Sequence, residues 1–300
     1  MQAPNKILMR KPVNFSFNEE TAGSNSFQNL TNSDNISEKV MQEWEEAKNE
    51  IESHGISVYS DFPDNEDFTP DEIFPNNWFS IQPGGELVIY PMEAKNRRLE
   101  KNHHILSWLK ESFPINKTID LSQFEEVNKF LEGTGSIVFD HDNCVAYCCE
   151  SIRSNINLFE QLCRDLGYRS VSFLSVDLQG SPIYHTNVVM SVGSDYVVIC
   201  LDSIENTMER SMIKFTVEES NKTLIDISYN QMNSFCGNII ELSNEQRELF
   251  TVMSKTSYES FTYDQISRIE SHSKIITCDV STIEKIGGGG IRCMIAGIHL

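Results

Sequence analysis

Apolar positions fall into five blocks of helical spacing, each followed by a short β-rich run. The helical blocks cover 37–54, 97–112, 151–166, 207–220 and 257–272. In the first, Val40, Met41, Trp44, Ala47, Lys48 and Ile51 share one face, with acids and lysines elsewhere, which is the mark of an amphipathic helix. The β-rich runs are 56–60, 115–121, 171–176, 224–228 and 275–278. Hairpin-like pairs precede the helices. Segments 79–81 and 86–90 flank Gly84-Gly85, 136–139 and 144–148 flank His141-Asp142-Asn143, and 188–192 and 196–200 flank Gly193-Ser194-Asp195. These are turn signals between strands. Segment 239–242 begins another pair, and 6–10 with 294–298 supplies the last by bringing the two ends of the chain together.

The result is a ββαβ unit repeated at about fifty residues, a period typical of propellers and closed arrays. Five units closing in a ring bury one face of each helix against the strands. Each unit opens on a polar or glycine-rich corner: Pro75-Asn76-Asn77-Trp78, Glu132-Gly133-Thr134-Gly135, His185-Thr186-Asn187, Cys236-Gly237-Asn238, and the run Gly287 to Gly290 before Cys293. In a ring these corners converge on the axis, where residues distant in sequence can assemble a site. Residues 61–72, acidic and with Pro63 and Pro70, read as an exposed loop. The chain is therefore expected to form one domain over residues 1–300.

Composition narrows the function. The 300 residues carry a formal charge of -20 and are 39% hydrophobic and 23% charged. That is globular and offers no basic face for nucleic acid or an anionic membrane. No run approaches the length of a membrane span and residues 1–20 hold no apolar leader core, so the cytoplasm is the expected location. The eight cysteines lie in strand-like or helical surroundings and read as reduced thiols. None has zinc-ligand spacing with histidines nearby, so neither metal nor cofactor is expected. His54, His103, His104 and His141 lie in helix or turn contexts and read as solvated.

Candidate chemistry centres on the end of the chain. Four glycines make a turn closed to other residues. Cys293 then opens a short apolar run that reads as a buried strand, with Arg292 beside it. A cysteine so placed is either a core residue behind a hinge or a thiolate nucleophile.

The corners together resemble the amidinotransferase and arginine deiminase superfamily, the penteins. The matching residues are Pro70-Asp71, Phe74-Pro75-Asn76-Asn77-Trp78-Phe79-Ser80, Tyr90-Pro91-Met92, Asn96-Arg97-Arg98, Leu131-Glu132-Gly133-Thr134-Gly135, Tyr184-His185-Thr186-Asn187 and Gly289-Gly290-Ile291-Arg292-Cys293-Met294. The likeness runs from about Met9 to Ile298, and the branch it is most similar to is the citrulline-utilisation hydrolases. It implies a five-bladed α/β propeller, in agreement with the repeat count. It also implies that a cysteine attacks the central carbon of a guanidinium or ureido group, while a histidine protonates the leaving amine and then activates water. The matching positions are Cys293 and His185, with Glu132 orienting the imidazole. Cysteine suits both halves of such a reaction, histidine exchanges protons near neutrality, and a carboxylate fixes its tautomer.

For the substrate, the resemblance implies that Asp71 holds the guanidinium nitrogens and that Arg97 and Arg153 grip an α-carboxylate. For both arginines a surface place at a helix start is the other reading, and Arg10 is a further candidate for the pocket or for ring closure. Arginine deiminases place aspartates where this chain has Asn77 and Asn187, and methylarginine hydrolases place acids where it has Asn76 and Asn77. A buried cation needs carboxylates, whereas amides match a neutral ureido group. The expected reaction is therefore conversion of citrulline to ornithine, ammonia and carbon dioxide. Arginine deiminase, methylarginine hydrolase and amidinotransferase activities are alternatives, and a non-catalytic pentein binding protein is the reading from another class. The expected partner is a small guanidino or ureido amino acid, with self-association left open. A nucleophilic Cys293 is expected to alkylate faster than the other seven cysteines at pH 6–7.

Overall fold

A computed structural model describes residues 1–25, 27–29 and 35–300. It contains five three-stranded sheets, each with a middle strand antiparallel to one neighbour and parallel to the other. In the first, Lys6–Leu8 lies between Ala296–Gly297 and Ser57–Tyr59, with Ile7 opposite Gly297 and Val58. The second holds Phe79–Ile81, Glu86–Ile89 and Lys117–Asp120; the third Val138–Asp140, Val145–Cys149 and Arg169–Phe173. Met190–Val192, Tyr196–Ile199 and Thr223–Asp226 make the fourth, and Ile240–Ser243, Leu249–Ser254 and Lys274–Cys278 the fifth. Every middle strand reaches its parallel partner through helix, as a parallel pair requires.

The five expected helical blocks are all present, with breaks that place side chains. Helix Ile36–Ser53 buries Val40, Trp44, Ala47 and Ile51, and Thr207–Glu219 matches its block. The block at 97–112 divides into Lys95–Arg98 and His103–Ser112, because the Asn102 side chain caps the second piece by accepting from the His104 and Ile105 amides. The block at 151–166 starts only at Ile156, capped by Asn155. Block 257–272 divides at a capping box formed by Thr262 and Gln265. Such caps satisfy amides that a helix end leaves bare. Both breaks near the arginines matter, since Arg97 and Arg153 sit before the true helices and turn inward; each is only 2% exposed. Their surface reading is thereby excluded.

The corners differ from expectation in one consistent way. Pro75–Asn77, Gly133–Ser136, Thr186–Val189 and Ile291–Met294 are single helical turns, and the strand in each case begins only after them. Cys293 therefore lies in a turn and not at the mouth of a strand, and the following strand is only Ala296–Gly297. A stretch of only four residues fits either period, so the sequence pattern alone does not distinguish the two.

Residues near the amino-terminal end tie distant sheets together. The Gln2 side chain donates to the carbonyls of Phe139 and Val192, and Ser243 bonds the carbonyls of Ala3 and Pro4. Ile81 bridges to Ile298. No helix among the described residues is long and apolar enough to cross a membrane.

Gly133 and Gly167 both have positive φ, +49° and +78°, but differ in surroundings. A Cβ on Gly133 would collide with the Asn76 carbonyl and lie 2.8 Å from that of Asn77, whereas one on Gly167 meets nothing within 4 Å. Gly167→Ala is expected to cost about 1 kcal/mol, the left-handed penalty alone. Gly133→Ala should cost roughly 2–4 kcal/mol, because strain and overlap add. Denaturant unfolding of the two variants reads the difference.

Candidate active site

Three of the five corners line one cavity, and the other two support it through Glu132, which bonds His185, and Asn238, which bonds Cys293. It is lined by Asp71, Asn77, Arg97, Arg153, His185 and Cys293, among others. Cys293 is 5% exposed. Its sulfur receives two amide N–H groups, from Asn238 Nδ2 at 3.2 Å and Asn187 Nδ2 at 3.4 Å. Burial pushes the thiol above its ordinary range, against the opposing pull of Asn238, Arg292, Asn187 and Arg97. Burial of Cys293 thus works against the low-pKa thiolate that the sequence motifs imply.

His185 lies immediately before its turn, and its Nε2 is 2.9 Å from Glu132 Oε2. Burial lowers the imidazole to about 4, only partly offset by Glu132. Burial also works against the charge on Glu132, but Arg153, the His185 bond and Arg97 outweigh it and hold the carboxyl well below its usual range. Glu132 is therefore an acceptor, so Nε2 carries the imidazole proton and Nδ1 keeps a lone pair. A side chain on Gly135 would fall 2.7 Å from that Nδ1, so glycine keeps its approach open.

Asp71 is 2% exposed. Its Oδ2 accepts from Asn18 Nδ2 at 2.7 Å and from the Thr21 hydroxyl at 3.4 Å, while Oδ1 is buried with no partner among the described residues. Burial raises its carboxyl, with Arg97 opposing. A buried carboxylate oxygen unpartnered by protein is a strong receptor for N–H groups or a cation.

Neither arginine presents a free fork. Arg97 is gripped by Glu100 at 2.8 and 3.0 Å and donates to Asn77 Oδ1 at 2.9 Å. Its guanidinium also lies 3.8 Å from Asp71 and 3.8 Å from Glu132. Arg153 donates to the Ser24 hydroxyl at 2.6 and 3.0 Å and to the Thr21 carbonyl, 3.6 Å from Glu132 and over the Tyr184 ring. Arg10 pairs with Glu72 at 3.1 Å, buried and outside the cavity lining.

Several contributors are not marked in the sequence. Asn238 belongs to one of the five corners, and only that placement points to it. Asn18, Thr21, Ser24 and Asn25 come from an aperiodic segment, and Glu100 from a block read as plain helix; no local signal distinguishes them. Among the described residues no group of three or more His, Cys, Asp or Glu is placed to hold a metal ion.

A family model for N,N dimethylarginine dimethylhydrolase, eukaryotic, matches residues 11–300. The chain belongs to this family. It is accordingly a pentein and a hydrolase of non-peptide C–N bonds. The branch matched is dimethylarginine dimethylhydrolase, where the sequence motifs had suggested the citrulline-utilisation hydrolases. No curated protein matches the chain in sequence.

Solved structures share its fold. The N-terminal domain of ArgZ, an arginine dihydrolase from the ornithine–ammonia cycle in Cyanobacteria, was solved as a cysteine-to-serine mutant bound to substrate. It aligns with a TM-score of 0.76 at 16% identity, over 98% of this chain and 99% of that one. The chain spans 40% of the length of whole ArgZ, with a TM-score of 0.74 at 16% identity and 97% of this chain covered. A dimethylarginine dimethylhydrolase mutant from Pseudomonas aeruginosa, complexed with citrulline, aligns at a TM-score of 0.66 and 15% identity over 99% of this chain and all of that one.

Two expectations follow from the buried groups. Iodoacetamide should label Cys293 more slowly than exposed Cys144 at pH 7, with a rate still rising above pH 9; peptide mapping reads both. Unfolded His185 gains a proton below its usual 6.5, but the folded imidazole does so only near 4. The stability that depends on neutral His185 is thus complete above pH 6.5 and lost as pH falls toward 4. His185→Gln should remove up to about 3 kcal/mol of that decline in urea titrations.

Proposed function

We propose that the protein hydrolyses the guanidino group of arginine or an N-methylated arginine, with Cys293 as nucleophile, His185 as acid and base, and Glu132 orienting the imidazole. The observation that carries this reading is the buried, unpartnered Asp71 Oδ1, which lines the same cavity as the Cys293 sulfur. A guanidinium docked on Asp71 brings its positive charge to the thiol and lowers the thiol pKa, offsetting the burial that disfavours the thiolate. The thiol proton passes to His185 Nδ1 as sulfur bonds to the central carbon. The imidazolium then protonates the departing nitrogen, and the C–N bond breaks to leave a thioether-linked intermediate. Water replaces the amine, gives its proton to Nδ1 and attacks the same carbon, and the sulfur departs. The amide donors of Asn187 and Asn238 stabilise the thiolate that leaves.

Arg97 and Arg153 act here as positioning residues. Arg97 braces Asp71, Asn77 and Glu132, and Arg153 anchors the segment at Thr21 and Ser24 over the cavity. Their engagement argues against the expected grip on an α-carboxylate. The amides likewise serve the protein more than the expected ureido group, since Asn77 Oδ1 faces Arg97 and Asn187 Nδ2 faces the sulfur.

A ureido substrate is the second reading. Asn77 Nδ2 and Asn187 Oδ1 have no partners among the described residues, leaving one donor and one acceptor for a neutral group. Citrulline would then give ornithine, ammonia and carbon dioxide through a carbamoyl-cysteine. We also infer that the five sheets close into a five-bladed ring, supported by the bridge of Ile81 to Ile298 and the ties made by Gln2 and Ser243. A nucleophile that works only as a thiol fits a reducing compartment such as the cytoplasm.

Product analysis by mass spectrometry tests the reading. Arginine or a methylarginine should turn over faster than citrulline, and citrulline as the preferred substrate overturns it. Asp71→Asn should slow the guanidino substrate about a hundredfold, since it leaves a buried cation without its carboxylate. The same change should affect citrulline far less. Cys293→Ala should form no adduct.

A further inference from the structure

A second pair of cavities lies around Arg292, the neighbour of the nucleophile in the same helical turn. They measure about 50 and 20 Å³ and share Thr134, Phe139, His141, Ile240, Arg292 and His299. Neither shares a lining residue with the Cys293 cavity. The edge strand antiparallel to the middle strand of each of the five sheets contributes to their walls, so Arg292 reaches between all five with its side chain directed away from the Cys293 cavity.

Its surroundings leave the charge uncompensated. Arg292 Nη1 donates to the Ile295 carbonyl at 3.1 Å, and no carboxylate lies within 4.0 Å of the guanidinium among the described residues. Glu241 also lines the larger cavity; its Oε2 accepts from the Ser194 amide at 2.7 Å, its Oε1 has no partner among the described residues, and burial raises its carboxyl, which favours the neutral acid beside an anion. The His141 and His299 rings lie 4.1 Å apart. His141 Nδ1 is bound to the Tyr168 hydroxyl at 2.7 Å and His299 Nδ1 lies 3.4 Å from a backbone carbonyl, so each ring keeps Nε2 free. His141 is thus not the solvated turn residue expected from sequence: it is stacked on Phe139 and packed against His299.

We propose that this axial cavity binds a small monovalent anion, of chloride or formate size, held by Arg292 with His141 and His299. Arg292 is half-buried, and a partly desolvated guanidinium without a carboxylate gains from an anionic partner. Its planar fork matches a carboxylate or similar oxyanion, and two imidazoles beside it can add donors once they take up protons. The space suits a single small ion, since one water needs about 10–15 Å³ by the same kind of measure. The charges support this assignment: burial lowers Arg292 to about 10, and burial with the neighbouring cations pushes both imidazoles down. An anion reverses each of these shifts. It also screens the Arg292 charge from the sulfur in the same turn, which connects the cavity to the nucleophile without contact between the two ligands.

Ring ¹⁵N resonances of His141 and His299 test the site in the intact protein. Sodium formate and sodium chloride are titrated separately against sodium gluconate, which is too bulky to enter, at constant ionic strength. Formate should shift both rings saturably toward the protonated position, and chloride should either do the same or displace it. Arg292→Gln should weaken binding about tenfold or more, the loss of a charge-assisted hydrogen bond. His299→Gln should weaken it less. Ring shifts no larger in formate and chloride than in gluconate overturn the proposal, as does an undiminished response in Arg292→Gln. If that variant does not fold, the wild-type titration and His299→Gln decide.

Discussion

The structure depends on one buried carboxylate. Glu132 is fully enclosed, and a carboxylate in that position is tolerable only because Arg153, Arg97 and His185 converge on it. Each of those partners is in turn fixed by something else: Arg97 by Glu100, Arg153 by Ser24, His185 by its place before the Thr186–Val189 turn. The Glu93 amide donates to its second oxygen. Three units of the fold thus meet at a single charge. The cavity beside it inherits a fixed imidazole and a fixed tautomer, and among the described residues Asp71 is the acidic group in its lining.

That arrangement separates the two carboxylates by role. Glu132 is held ionised by cations and spends its oxygens on protein groups. Asp71 is raised by burial and keeps one oxygen free. The contrast between a satisfied carboxylate and an unsatisfied one marks where protein structure ends and ligand recognition begins. The thiol follows the same logic: two amide donors face a sulfur whose ionisation burial disfavours.

Much of the fold was legible because its signals are local. Helical periodicity located all five helical regions, and turn residues located three of the hairpins. The site was legible in part for a different reason: Cys293, His185, Glu132 and Asp71 stand in motifs of a recognisable order. What could not be read was conformational choice over four residues, as at Ile291–Met294, where helix and strand periods are indistinguishable. The direction of side chains held by distant partners was equally hidden. Arg97 looks available from sequence, yet Glu100 and Asn77 occupy its donors, and the cap at Asn102 that ends the turn after it is a single residue in a stretch of charged and polar ones. His141, read as a turn histidine, packs against a residue 158 positions away because the chain's end returns to it.

The pairing of Lys6–Leu8 with Ala296–Gly297 has a kinetic side. Glu132, His185 and Cys293 become neighbours only when segments separated by 50 to more than 100 residues have docked, so the cavity lies at the high end of contact order, where loop-closure entropy slows assembly. No partly assembled chain possesses a lesser version of the site. Regain of turnover on refolding would therefore trail regain of helix signal, and catalysis would serve as a clock for the last docking event.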